Sequence, residues 1–239
     1  MTKRPAFFPN FKKVGVDEDT FEFDWSPGFA LSQKRKNVKA LHDAIRKSCL
    51  DRHPLEISSK SDNGIGYGLS AMNLSFTDSG GQKCTVESVF QASKVFKNGG
   101  PFPDHYAQNP RDVRAFIKEQ DRGELTGFEY EGIGWDLHPT RAFYDWIYLN
   151  ALKDAANRNL VDGLAEFDCF TDIEFNPQKS LNCQAYAVAL YRSFERAGVL
   201  GKALASKEFF LEMHPDDTLK GGVGMNKRVE REKQQEFSF

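Results

Sequence analysis

Glu87, Gln91 and Lys94 stand at spacings i, i+4 and i+7. On an α-helix, where each residue advances by about 100°, they fall within about 60° of one another. Val95 borders this stripe on one side, and Phe90 and Val86 border it on the other. A narrow polar strip between apolar residues differs from the broad polar face of a surface helix. One reading is a solvated Glu–Gln–Lys ladder, held by contacts worth roughly a few tenths of a kcal/mol. The other is a carboxylate, an amide and an amine lining a cleft, where burial tunes both titrating groups. There a lysine of lowered pKa can attack an aldehyde and form a Schiff base. A carboxylic acid of raised pKa can protonate a leaving group. Geometry alone leaves both readings open.

The elements that must position these residues follow from local signals. Thr85 caps a helix running to about Phe96, and Asn98-Gly99-Gly100-Pro101 stops it. Before it, residues 69–76 and 82–84 look like a hairpin around Asp78-Ser79-Gly80-Gly81. Residues 20–25 alternate apolar and polar as a strand, and Leu55–Ser58 reads as another. A helix from about Ser32 puts Val38, Leu41, Ile45 and Cys49 on one face. Asn109-Pro110 opens a helix near 111–121, and Pro139 opens the longest apolar one, Thr140 to about Asn157. Further helices fit 160–166 and 181–196, while 206–213 suits a short helix or an edge strand. The fold class is α+β, mostly helical, with a few short strands in a single domain. Residues 1–60 form an N-terminal extension (strand plus helix) packed on a core of 61–213. Residues 214–239 form a polar tail, with Lys227–Gln235 a charged helix or disorder. Its end, Gln234–Phe239, faintly resembles sliding-clamp-binding peptides, against the plainer reading of a disordered terminus.

Charge nearly cancels, with 32 Lys+Arg against 34 Asp+Glu and a formal net of −2. That excludes a strongly basic protein that coats nucleic acid. Local basic patches remain: Lys34-Arg35-Lys36 with Lys39, and Arg111, Arg114 and Lys118 along one helix. The 21 Phe, 7 Tyr and 3 Trp supply a core, and some could form a stacking surface. Cys49, Cys84, Cys169 and Cys183 make no C-x-x-C pair, and the five histidines make none at metal spacing, so no metal is expected. Scattered thiols without a signal peptide, and no apolar run long enough to span a membrane, fit a cytoplasmic protein.

Around the polar stripe the sequence resembles the NADAR (YbiA-like) family. Leu69-Ser70-Ala71-Met72-Asn73-Leu74 stands where the family has a short F/L-S-N-F-type segment, with Asn73 as a substitute for its asparagine. Thr85-Val86-Glu87-Ser88-Val89-Phe90-Gln91-Ala92-Ser93-Lys94-Val95-Phe96 then matches P-T-x-E-x-x-F-Q-A-x-K-F. Trp135 precedes a long helix, as a mid-chain tryptophan does in the family. An acidic segment, Phe170–Asn176, is followed by Asn182-Cys183-Gln184-Ala185 and, at the family's spacing, Arg192. The resemblance spans roughly residues 65–196. Trp25–Phe29 and Leu55–Lys60 look like the branch that accompanies DarT-type DNA ADP-ribosyltransferase toxins.

The resemblance implies a YbiA-like catalytic core and an ADP-ribosyl glycohydrolase. Such an enzyme removes ADP-ribose from guanine in DNA and acts as the antitoxin to a DarT-type toxin, without a cofactor. A ribose on an exocyclic amine can ring-open to an imine, which invites transimination by a lysine. Lys94 would then be the nucleophile and Glu87 the general acid/base, with Gln91 orienting ribose hydroxyls. Asp172 or Glu174 would stabilise a cationic intermediate or bind a hydroxyl. Trp135 would stack on adenine or guanine, Asn182 would hold a polar edge, and Ser70 and Asn73 would complete the ligand set. Plainer roles stand beside these: Trp135 as a loop anchor, Asp172 and Glu174 as a helix-terminus pair, Asn182 as an N-cap, Asn73 in a turn. The other functional readings are an N-glycosidase on ribosylamine intermediates of riboflavin synthesis and a non-catalytic ADP-ribose- or NAD-binding module.

Overall fold

The computed structural model describes residues 1–215. Its first strand, β1 (Thr2–Pro9), carries Ala6, Phe7 and Phe8 with both faces buried. A strand covered on both faces needs no polar alternation, so its sequence carries no period-two signal. β2 (Val16–Phe23) pairs antiparallel with it from Thr2↔Phe23 to Pro9↔Val16, so the strand expected at 20–25 begins four residues earlier. α1 (Leu31–Ser48) packs Val38, Leu41 and Ile45 against Ala6, Phe8, Phe21 and Phe23.

β3 (Pro54–Glu56) is followed by α2 (Gly64–Gly68), whose N-cap Asn63 accepts from the Ile65 N–H. The hairpin is shorter than its sequence suggests: β4 (Ser75–Thr77) and β5 (Lys83–Thr85) pair with Phe76 opposite Cys84. α3 (Val86–Ala92) starts where Thr85 predicts, its hydroxyl accepting from the Ser88 N–H. It does not reach Phe96. Lys94–Phe96 form a strand, β6, because the chain there finds a ladder partner far along the sequence.

α4 (Pro110–Lys118) is capped by Asn109. β7 (Leu125–Tyr130) and β8 (Ile133–Trp135) then complete a three-stranded sheet in the order β6-β7-β8. α5 (Ala142–Lys153) is apolar nearly all round and lies in the core, stopping short of the expected Asn157, where a 3-10 turn stands. After α6 (Arg158–Asp162), β9 (Cys169–Thr171) enters between β1 and β3, giving a four-stranded sheet β2-β1-β9-β3. Its pairing with β1 is antiparallel and with β3 parallel. α7 (Gln184–Arg196), α8 (Leu200–Ala205) and α9 (Lys207–Met213) close the described chain, and 206–213 is helical rather than an edge strand. The architecture is α+β. The readings for Lys227–Gln235 and Gln234–Phe239 lie outside the described residues. Among the described residues no helix is long and apolar enough to cross a membrane.

Candidate functional site

A cavity of about 400 Å³ opens between α3, the segment before α7, and the loops after β3 and β9. Its walls include Ser58, Lys60, Ser70, Glu87, Gln91, Lys94, Arg114, Tyr144, Asp172, Glu174, Asn182 and Gln184. Residues far apart in sequence meet here because the β3–β9 ladder and the α3–β6 corner face the same space.

Lys94 is almost wholly buried, at 1 % exposure, although it lines the cavity. Its ammonium stands 5.6 Å from the Phe90 ring centroid. Burial pushes its pKa down to about 8, the charges of Arg114 and Lys118 act the same way, and Glu87 opposes them. Glu87 sits in the first turn of α3. Its Oε1 accepts from Gln91 Nε2 at 3.1 Å and lies 3.5 Å from Arg114 Nε. Gln91 is buried, so its amide is held where the helix points it.

The acidic segment after β9 forms the opposite wall. Asp172 Oδ2 accepts from Gln184 Nε2 at 2.9 Å, and Oδ1 accepts from the Glu174 and Phe175 N–H groups at 3.0 and 3.3 Å. Burial raises the Asp172 pKa, while those donors pull it back. Gln184 does double duty: its Oε1 accepts from the Ala71 N–H at 2.8 Å, tying the segment after Ser70 to Asp172. Glu174 pairs with Lys34 Nζ at 2.8 Å, so α1 reaches the rim.

Asn182 lines the cavity with its Oδ1 buried and without a hydrogen-bond partner among the described residues. It is not the cap of α7, a position held by Cys183. An unsatisfied buried acceptor costs about 1–3 kcal/mol, which a donor on a bound ligand would relieve. Ser70 also lines the cavity, though its hydroxyl donates to the Tyr67 carbonyl at 2.9 Å. Asn73 donates to the same carbonyl at 2.9 Å and is not among the cavity's walls, in keeping with its turn-satisfying alternative.

Trp135 is elsewhere. It lies on β8 at 4 % exposure, its ring 5.2 Å from Trp146, 5.6 Å from Phe143 and 6.2 Å from Phe210. Packed on three sides by aromatic rings and absent from the cavity wall, it offers no face for a base.

Sequence reasoning gave no site role to Ser58, Lys60, Tyr144, Gln184 or Glu56. Glu56 is buried beneath the wall: Oε1 accepts from Ser58 Oγ at 2.6 Å and the Ile173 N–H at 2.8 Å, and Oε2 from Thr171 Oγ1 at 2.7 Å. Burial and the Asp172 charge raise its pKa. No local pattern marks such a residue, since its role comes from strand pairing. Gln184 could have been flagged, being the polar residue just before the apolar run Ala185–Leu190 of α7. Among the described residues no cluster of His, Cys, Asp or Glu could hold a metal ion.

A corner bearing Glu87, Gln91 and Lys94 thus faces an acidic segment across one cavity. The family model described as DarT1-associated NADAR antitoxin matches residues 2–221, and the chain belongs to that family. Its role is therefore that of an antitoxin in a DarT system. A search of curated proteins finds no match.

Proposed function

We propose that the protein is an N-glycosidase that releases ADP-ribose from guanine in DNA, reversing the toxin's modification. The observation that carries this reading is the buried Lys94 amine, sharing one cavity with the Glu87 and Asp172 carboxylates. An amine with a pKa near 8 is about one-tenth neutral at pH 7, against less than about one part in a thousand for an ordinary lysine.

The bond between ribose C1′ and the ring oxygen opens, leaving C1′ as an imine of the guanine amine. Lys94 Nζ adds to C1′ and sheds a proton to the Glu87 carboxylate, and the C1′–guanine nitrogen bond breaks as Glu87 passes that proton to the departing amine. Water then adds to the lysine imine, Nζ leaves, and the freed aldehyde recloses as ADP-ribose. Overall one water is consumed, and guanine and ADP-ribose are released. Asp172 stabilises the cationic imines across the cavity, Gln91 and Glu174 take ribose hydroxyls, and Asn182 Oδ1 accepts from a substrate N–H or O–H. Ser70 and the Lys60 and Arg114 cations border the same ligand.

The test incubates the protein with a guanine-ADP-ribosylated oligonucleotide and follows ADP-ribose by mass spectrometry. Release of ADP-ribose is expected, together with a borohydride-trapped adduct mapping to Lys94. No release sinks the activity. Release without any lysine adduct overturns the Schiff-base route alone.

A further inference from the structure

Phe29 is 100 % exposed, at the tip of the loop between β2 and α1, and Leu31 beside it is 47 % exposed. A ring left entirely in water contributes nothing to folding by burial, so its position has no explanation inside the fold. Nor is the base of its loop loose. Asn37, buried in α1 at 0 % exposure, accepts from the Ser26 N–H at 2.7 Å and donates to the Ser26 carbonyl at 2.9 Å. This two-way clamp fixes the start of the segment that presents Phe29. Gly28, at φ +128°, makes the turn just before it.

The same region faces the cavity. Lys34, one turn into α1, pairs with Glu174 on the cavity wall, and its ammonium lies 5.7 Å from the Trp25 ring centroid. Arg4 stands over that ring at 5.3 Å, bracing the loop from the sheet side. Arg35 and Lys36 follow, both exposed, and neither has an ion pair among the described residues. An exposed aromatic just before a helix whose second turn carries two cations without an ion pair among the described residues is complementary to a nucleic-acid strand, whose bases offer flat apolar faces and whose backbone offers phosphates.

We infer that Phe29 is a stacking residue for DNA: its ring takes the face of a base next to the modified guanine, while Arg35 and Lys36 meet the neighbouring phosphates. The inference rests on the proposed action on DNA and extends it to the strand outside the cavity. It divides recognition into two parts, with the lesion inside the cavity and the adjoining nucleotide on the N-terminal loop.

Two substrates test it: an ADP-ribosylated guanine nucleoside, and a single-stranded oligonucleotide carrying the same lesion. Phe29→Ala should lower kcat/KM on the oligonucleotide roughly ten-fold and leave the nucleoside unaffected, with Phe29→Trp restoring the rate. An unchanged oligonucleotide rate, or an equal loss on both substrates, overturns the proposal. A second measurement needs no hydrolysis: an unmodified oligonucleotide containing 2-aminopurine should change fluorescence on binding the wild-type protein and not on binding Phe29→Ala. If wild type cleaves neither substrate, the glycosidase reading falls, and the fluorescence result still decides the stacking. A dimer seen by sedimentation in wild type and lost in Phe29→Ala would assign the ring to a second copy of the chain, and the proposal would fall.

Discussion

Glu87 and Lys94 reach one cavity from two different elements, Glu87 from the first turn of α3 and Lys94 from the first position of β6, opposite Phe128. Ser93 joins the two. Its N–H donates to the Val89 carbonyl at 2.9 Å, ending the helix ladder, and its carbonyl accepts from the Glu129 N–H at 2.8 Å, joining the sheet. The backbone on both sides of the corner is thus fixed by regular hydrogen bonding. The amine and the carboxylate are held by a helix–strand junction rather than by a helical stripe.

That junction depends on Gly100. A Cβ there would lie 2.1 Å from the Lys94 carbonyl oxygen, and the residue's φ of +92° disfavours any side chain. The obstacle is backbone, so the strand itself would have to move. Gly100→Ala should destabilise the protein by about 1–3 kcal/mol in urea unfolding. It should also lower activity at temperatures where the variant is still folded. Gly132→Ala, also at positive φ but in open space, is the control: it should cost stability without a comparable loss of activity.

A charged Lys94 is a burden on the fold. Moving its pKa from 10.5 to about 8 corresponds to about 3 kcal/mol against the folded state below pH 8. The sign follows from proton binding. Between about pH 8 and 10.5 the unfolded chain holds the proton that the folded chain has lost, so this contribution raises stability as pH increases. Lys94→Met should therefore be more stable than wild type at pH 7, by up to about 3 kcal/mol. The gap should shrink as pH rises through 8 toward 10.5, and the variant should be inactive. Equal stabilities at pH 7 in parallel denaturant titrations would refute the burden.

Much of this was legible in the sequence where the signal is local. Thr85 as a cap, Glu87 and Gln91 on one helix face, and the apolar α5 all follow from residue type and spacing. Lys94 lines the cavity from β6 rather than from the expected helix, because α3 ends at Ala92 through pairing with β7, whose sequence lies some thirty residues on. β1 was missed for a related reason: burial on both faces erases the alternation that announces a strand. Glu56 and Gln184 acquire their roles only when β9 sits beside β3 and α7 starts beside Ala71. Trp135 shows the converse, a tryptophan conspicuous in sequence whose ring the three-stranded sheet turns into the core.

Activity should carry the same lysine's signature. In the proposed route the neutral amine is the reacting form, so kcat/KM should climb with pH and level off above about 8. Glu87→Gln keeps the side chain's size and removes its proton transfer, and general acid–base catalysis is worth about 10²–10⁴-fold. Removing the carboxylate also removes the charge that holds the lysine pKa up, so the remaining rise should shift to lower pH. A pH–rate profile of Glu87→Gln with an unmoved inflection would show that the lysine does not set the profile.

The salt dependence of DNA binding should be shallow, and the ion pairs explain why. Lys34 is engaged by Glu174, Lys39 by Asp43 and Arg114 by Glu87, so these cations already have carboxylate partners. Arg35, Lys36 and Arg111 are exposed and have no ion pair among the described residues. Each phosphate neutralised on a single strand adds about −0.7 to the slope of log K against log salt, so three give about −2. Removing Arg35 and Lys36 together should flatten the slope by about 1.4, while Phe29→Ala should weaken binding and leave the slope unchanged. Fluorescence anisotropy titrations with a modified oligonucleotide across a range of salt concentrations provide the measurement. A wild-type slope several-fold steeper would mean that the paired lysines and arginines leave their carboxylates to meet the DNA, and the rim described above would rearrange on binding.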